Sequence, residues 1–469
     1  MIVVPKLDLQ SFAQRGAVGL LVPGSGAKVS GRGARAALVQ GRVEPALTGG
    51  VPDEEPLVEL AQRPADVSFY VVLPPPGEHT NDRRYPIAVV GDGYHGLLES
   101  SSTRIPGLVS IADVAPSAVD LEAGEKPAIT SKPSADASTE LAGLDRRLDR
   151  SRDARGTVDL ILMLTMLAAG AGALLLRSPL LGRAALLVAP AAISLALLLS
   201  GLDVERAGVV VPIVAVGTPL LALAGALLAS TRARLLALLL VLIASYGVVL
   251  AAWPEVSSLA AIGAHPDRGG RYYGLTNQTS TLVLAPSLAA GALAGLPWLA
   301  AVGLLALAVV GLSATGADGG GLLVTLTGFG VLALRLAELR LTLGRVVALG
   351  AAVVAAGVLV VGIDAAGGGS SHVTRAVGDG PGALADDLAH RADVSFRGPT
   401  SSPLPFLLTS AGLIVLVWIG TRRPRSAVVD AMLTGLAVSF VVNDTPQSVA
   451  TFGALGALGL LAWRRTADL

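Results

Sequence analysis

Arg271-Tyr272-Tyr273-Gly274-Leu275-Thr276-Asn277, in this 469-residue chain, sets an arginine, two tyrosines and an amide directly before an apolar run, where they could act on a ligand. Arginine presents a planar fork of donors that stays protonated and suits a charged acceptor held through two oxygens. Imidazole titrates near neutrality and is the natural general base. Of the chain's 5 histidines, His372 and His390 share one late polar segment with Arg375, Arg391 and Arg397. Two carboxylates stand out as well. Asp318 lies in the small-residue run Gly311-Leu312-Ser313-Ala314-Thr315-Gly316-Ala317-Asp318-Gly319-Gly320-Gly321, and Asp430 lies inside an apolar run, where an acid marks a proton or ion path by default. Each has a plainer reading. Arg271 with two tyrosines could anchor a helix end at a membrane interface, Thr276 and Asn277 could cap a helix, the triple glycine could be a turn, and Asp430 could pair with Arg422 or Arg425.

The elements that must position these groups are mostly apolar helices. The chain is 52% hydrophobic and 15% charged, with a mean hydropathy of +0.66, far from the charge content of soluble domains. Spans of the length a bilayer core requires are expected at 158–176, 181–201, 207–229, 234–253, 276–295, 297–314, 320–337, 343–363, 404–420, 426–442 and 447–463, about eleven in all. Runs such as Leu235–Ala244 lack the polar face of a soluble helix. A mainly α-helical polytopic membrane protein is therefore expected, with the lipid bilayer as its first partner.

Arginines fall in every second loop. One set holds Arg177 and Arg183, Arg232 and Arg234, Arg340 and Arg345, Arg422, Arg423 and Arg425, then Arg464 and Arg465. The positive-inside rule places these loops and the C-terminus in the cytoplasm. The alternate loops, including the long ones at 254–275 and 364–403, and the whole segment before Val158 then lie outside a plasma membrane. Met1-Ile2-Val3-Val4-Pro5-Lys6 has the look of neither a charged nor an apolar export signal, so a start upstream of Met1 is expected. Within the later loop, Ala383–Val394 could form an amphipathic surface helix.

Zero net charge leaves no nucleic-acid footprint, and the lack of cysteine removes disulfides and thiolate metal sites together. No cofactor motif is present, since the triple glycine lacks the context of a phosphate loop. The wealth of Ala, Gly, Leu, Val and Arg points to a bacterial gene of high G+C content.

Residues 1–120 read as a small α/β domain, with strands at Ile2–Val4, Val18–Val22, Val67–Leu73 and Ile87–Val90 and helices at Gly31–Gln40 and Glu55–Gln62. Residues 121–157, rich in Pro, Ser and Ala and then in Arg, read as a linker, and residues 158–469 as the membrane domain. Thr103-Arg104-Ile105-Pro106-Gly107-Leu108-Val109-Ser110-Ile111-Ala112-Asp113-Val114-Ala115-Pro116-Ser117 resembles the C-terminal segment of alkaline-phosphatase-superfamily domains. That superfamily holds two divalent metals with Asp and His ligands. This domain offers only His79, in an expected exposed loop, and His95, in an expected turn, so the resemblance implies a shortened relative without that metal set. Asp113 and Ser117 read as a helix-start signal in any family.

The Arg271–Asn277 and Gly311–Gly321 stretches together resemble O-antigen ligases and related polysaccharide polymerases. In that family an external arginine steadies a lipid-linked diphosphate and a loop histidine assists sugar transfer. The resemblance implies Arg271 as phosphate ligand, Asn277 and Asp318 as polar groups of a substrate site, His372 or His390 as base, and Arg375 and Arg391 beside it. The expected function is handling of a lipid-linked glycan at the outer face of the cell envelope. A transporter or flippase, relying on Asp430, and a non-catalytic envelope assembly factor, relying on the outer domain, remain open at this point.

Overall fold

A computed structural model describes residues 1–24, 28–40, 67–204, 206–268, 271–340, 342–366 and 403–467. The chain is mainly helical and divides into two compact units: Met1–Asp153 with Ala264–Tyr273, and Ala154–Gly263 with Gly274–Leu469.

The first unit is built on a mixed seven-stranded sheet. Its strands are β1 (Ile2–Val3), β2 (Ala17–Val22), β4 (Ser68–Val71), β6 (Tyr85–Val90), β7 (Gly96–Ser100), β8 (Leu108–Ser110) and β9 (Ile129–Lys132), in the order β1-β4-β6-β2-β7-β9, with β8 also paired to β2. All six residues of β2 are buried, which is why it reads as an unbroken apolar run rather than an alternating one. It pairs antiparallel with β6 and parallel with both β7 and β8. A separate ribbon joins β3 (Lys28–Ser30) to β5 (Glu78–Thr80). Short helix α1 (Leu9–Ala13), helix α2 (Gly31–Gln40) and helix α3 (Val114–Ala123) complete the α/β fold. Leu21, Leu38, Ile87, Leu98, Val109, Ile111 and Ile129 lie in its core.

The four strands and the helix at Gly31–Gln40 stand where the sequence placed them, whereas Glu55–Gln62 lies outside the described residues. The linker reading of 121–157 is corrected. Ile129–Lys132 is an edge strand paired with β7, and helix α4 (Ala137–Leu176) runs through the arginine-rich part, Arg146 to Arg155, and on into the first apolar span. A strand of Ile-Thr-Ser-Lys carries little apolar signal of its own, so the Pro and Ser around it dominate the composition. His79 lies in β5 rather than in a loop, with Nε2 3.1 Å from the Pro76 carbonyl oxygen.

Helix α4 is 40 residues long, about 60 Å at 1.5 Å per residue, with a charged first half and an apolar second half. Arg84, whose side chain is 2% exposed, fastens the charged half to the sheet domain by donating to Asp145 at 2.5 Å and Asp149 at 2.6 Å. Burial disfavours the Arg84 charge, but the two carboxylates outweigh it and raise its pKa.

In the second unit every one of the eleven expected spans is a helix. Beyond the apolar half of α4 come α5 (Pro179–Gly201), α6 (Ala207–Leu228), α7 (Arg232–Ala252), short α8 (Pro254–Leu259), α9 (Asn277–Ala294), α10 (Leu296–Gly311), α11 (Gly319–Leu336), α12 (Leu343–Ala366), α13 (Pro403–Thr421), α14 (Ala427–Val442) and α15 (Pro446–Ala467). Among the described residues seven are long and apolar enough to cross a membrane: α4, α5, α6, α7, α11, α12 and α13. Helices α10 and α14 are apolar but only 16 residues each. Helix α9, with Asn, Gln, Thr and Ser in its first turns, and α15, with Arg464 and Arg465 in its last turn, are more polar. Large side chains such as Leu175, Leu343, Leu304 and Ile414 are exposed around the bundle, as bilayer-facing residues are. Close approach between helices depends on small residues: a Cβ on Gly412 of α13 would stand 2.4 Å from the Ala450 carbonyl oxygen of α15.

Candidate functional site

The first turn of α9 is the hub of a polar layer in the second unit. Thr276 caps the helix with a reciprocal capping box to Thr279, fixing the backbone from which the next side chains project. Asn277 Nδ2 donates to Asp444 Oδ1 at 2.7 Å and to Thr445 Oγ1 at 2.9 Å, in the loop between α14 and α15. Gln278 Nε2 donates to Asp159 Oδ1 of α4 at 2.6 Å. Ser280 donates to Asp318, whose other oxygen accepts from the Gly321 N–H at 3.0 Å and so caps α11. Four segments far apart in the chain thus meet through carboxylates, amides and hydroxyls.

Gly274 makes the approach to this turn possible. Its φ is +79°, and an added Cβ would lie 2.2 Å from the Gly316 carbonyl oxygen. The neighbouring Leu275 N–H donates to that same carbonyl at 2.8 Å, tying the start of α9 to the small-residue run before α11.

Beside the first turns of α9 lies a cavity of about 500 Å³ bounded by α5, α7, α8 and α9. Its wall is almost wholly apolar and includes Ile193, Leu197, Leu242, Val249, Leu282 and Val283. Tyr246, 5% exposed, also lines it.

The residues expected to form one substrate site divide between the units. Asn277 and Asp318 both belong to the layer around α9, each with the structural partners given above. Arg271 is half-buried in the first unit, where its carbonyl accepts from the His265 N–H at 3.0 Å. The interface-anchor reading of its neighbours is corrected: Tyr272 and Tyr273 are buried in the first unit. The Tyr272 hydroxyl lies 3.3 Å from Ser110 Oγ, and the Arg104 guanidinium sits 3.9 Å from the centre of the Tyr273 ring. Burial, with a smaller contribution from the Asp113 carboxylate, raises the Tyr272 pKa, and the Ser110 contact opposes the rise. His372, His390, Arg375, Arg391 and Arg397 lie outside the described residues, as does the expected surface helix Ala383–Val394.

Asp113 does stand at the start of α3, but its side chain does not cap the helix. It turns into the domain and accepts from Ser100, from Ser102 Oγ at 2.7 Å and from the Ser102 N–H at 3.2 Å, the donors a buried carboxylate requires. Ser117 is buried and accepts from the Ile129 N–H at 2.8 Å, holding β9 rather than opening α3. Asp92 and His95 are exposed in the turn before β7. Among the described residues no group of three or more His, Cys, Asp or Glu side chains is placed to hold a metal ion.

Asp430 resolves in favour of pairing. Arg425 Nε approaches it at 2.5 Å, and Arg335 Nε, a partner sequence spacing gave no reason to expect, at 3.0 Å. Tyr246, Asp159 and Gln278 also escaped sequence reasoning. A lone tyrosine in a leucine run, or an amide near a helix start, has no motif; only the fold brings them to the cavity and the polar layer. Against known proteins, no family model, curated sequence or solved structure matches the chain.

Proposed function

We propose that the protein is a multi-pass component of a bacterial cell envelope that handles a lipid-linked glycan at the end of its helix bundle marked by the first turn of α9. The observation that carries this reading is the polar layer of Asn277, Gln278, Ser280, Asp159, Asp318, Asp444 and Thr445. Amide–carboxylate pairs at partly exposed helix ends present the donors and acceptors that a hydroxyl-rich headgroup can join, directly above apolar helices suited to its lipid.

The same layer supports an eleven-span topology. With alternating spans, the start of the apolar half of α4, the starts of α9 and α11 and the α14–α15 loop all fall on one side, and these are the segments the layer joins. On this topology that side is the outer one, with the N-terminal domain outside and the C-terminus in the cytoplasm. The membership of Ala264–Tyr273 in the N-terminal unit supports a shared side for that domain and the 254–275 loop. The transporter reading leaned on Asp430, which two guanidinium groups engage.

The test uses the full chain in lipid nanodiscs, with binding of a polyprenyl-diphosphate-linked sugar read by native mass spectrometry. The parent should retain that lipid in preference to bulk phospholipid, and the double variant Asn277→Leu, Gln278→Leu should lose the preference. Equal retention of both lipids by the parent would refute the reading.

A further inference from the structure

Beyond the glycan reading, and at the other end of the bundle, we infer that the α11–α12 and α13–α14 loops form a docking surface for anionic phospholipid, with Arg340, Arg345, Arg422 and Arg423 supplying the charge that meets the headgroup phosphate. Three features support this.

The first is charge left over once the fold's own contacts are made. Arg335 and Arg425 share Asp430 at 3.0 and 2.5 Å, and Arg335 Nη2 also donates to the Arg425 carbonyl at 3.3 Å. These contacts hold the end of α11 beside the α13–α14 loop and neutralise Asp430. Arg340 and Arg345, at the start of α12 and in the loop before it, and Arg422 and Arg423, after α13, are exposed and form no ion pair among the described residues. The sequence of the two loops adds one further acid, Glu338, so a positive excess remains.

The second is presentation. Arg345 Nη1 donates to the Arg340 carbonyl at 2.8 Å, which holds its guanidinium by one nitrogen. The Arg422 guanidinium lies over the Trp418 ring, 4.5 Å from its centre. Stacking on an aromatic face leaves the N–H donors in the guanidinium plane available, and phosphate is the planar fork's natural acceptor. A fork already held in place also loses less freedom when it binds.

The third is what lies beside the charge. Leu339, Leu343 and Val347 next to one loop, and Ile414 and Val417 on α13, are exposed apolar side chains. Trp418, 38% exposed, stands between them and Arg422 along α13, and tryptophan favours the headgroup level of a bilayer. A surface that passes from arginine through tryptophan to bare aliphatic side chains matches an amphiphile with a negative head, not a soluble anion. Juxtamembrane arginines attract anionic headgroups, and a zwitterionic head gains less because it brings its own cation.

The experiment is native mass spectrometry of the full chain released from micelles that contain equal phosphatidylglycerol and phosphatidylcholine with the same acyl chains. The parent should retain phosphatidylglycerol in preference. Changing Arg340, Arg345, Arg422 and Arg423 together to Gln should erase that preference. The pair Arg422→Gln, Arg423→Gln should weaken it roughly five- to twentyfold, and keeps the test sharp should the fourfold variant fold poorly. Arg464→Gln, Arg465→Gln, in the last turn of α15, should leave it unchanged. Equal retention of both lipids by the parent would overturn the proposal, as would an equal loss in the Arg464, Arg465 variant, which would make the attraction a diffuse property of that end. Displacement of the lipid by inorganic phosphate would assign the arginines to a soluble anion and overturn it too. Asn277→Leu, Gln278→Leu should keep the phosphatidylglycerol preference, so failure of the glycan reading and failure of this one are told apart.

Discussion

The two ends of the helix bundle in the second unit are held by different chemistry. At one end the first turn of α9 gathers amides, hydroxyls and carboxylates: Asn277 with Asp444 and Thr445, Gln278 with Asp159, Ser280 with Asp318. At the other end arginines reach the carbonyls that helices leave unpaired at their C-termini. Arg183 donates to the Ala226 carbonyl near the end of α6 at 3.1 Å, Arg232 to the Leu293 carbonyl of α9 at 2.7 Å, and Arg425 to the Gly420 carbonyl of α13. A guanidinium that satisfies a helix end does two things at once, since it also complements the negative end of the helix dipole. Three of the arginines that mark topology in the sequence, Arg183, Arg232 and Arg425, are therefore also structural caps.

The largest effect that would sharpen this contrast is expected at Asp430, the carboxylate that joins α14 to Arg335 of α11 and to Arg425. Asp430→Leu leaves two guanidinium groups without their counter-charge and should cost roughly 3 kcal/mol. Thermal unfolding in detergent measures it, and addition of Arg335→Met should recover part of the loss. A single variant as stable as the parent would mean that this end is not pinned by charge.

At the polar end the strongest perturbation short of the site itself is Gly274→Ala. The positive φ and the Gly316 carbonyl 2.2 Å from the new Cβ should cost roughly 1–3 kcal/mol. Hydrogen exchange should localise the loosening to the first turn of α9. Protection unchanged there would show that the Gly274–Gly316 approach does not set the layer. Smaller still, Arg232→Ala removes one partly exposed cap and should cost about 1 kcal/mol, with fraying confined to the last turn of α9.

Much of this fold was legible because its signals are local. Runs of twenty apolar residues mark helices wherever they pack, and the six buried residues of β2 read as a central strand for the same reason. The edge strand Ile129–Lys132 was not legible, because an edge pairs through backbone and needs little apolar surface. The site was legible only in part: Thr276 carries capping chemistry that its place before an apolar run reveals, whereas the capping role of Asp318 and the side-chain partners of Asn277 appear only in the fold. The pairs Gln278–Asp159, Asn277–Asp444 and Arg335–Asp430 are each separated by more than ninety residues in the chain and become neighbours only by packing.

The central claim is that alternating spans bring the polar ends to one membrane face and the arginine ends to the other. The chain has no cysteine, so single substitutions report without background. Leu202→Cys, Ala314→Cys and Thr445→Cys lie at the polar end, Ser230→Cys and Leu339→Cys at the arginine end. Labelling of intact cells with a membrane-impermeant maleimide should modify the first three and spare the last two, which should react only after the membrane is opened. Labelling of both sets in intact cells, or of a mixture drawn from each, would contradict it.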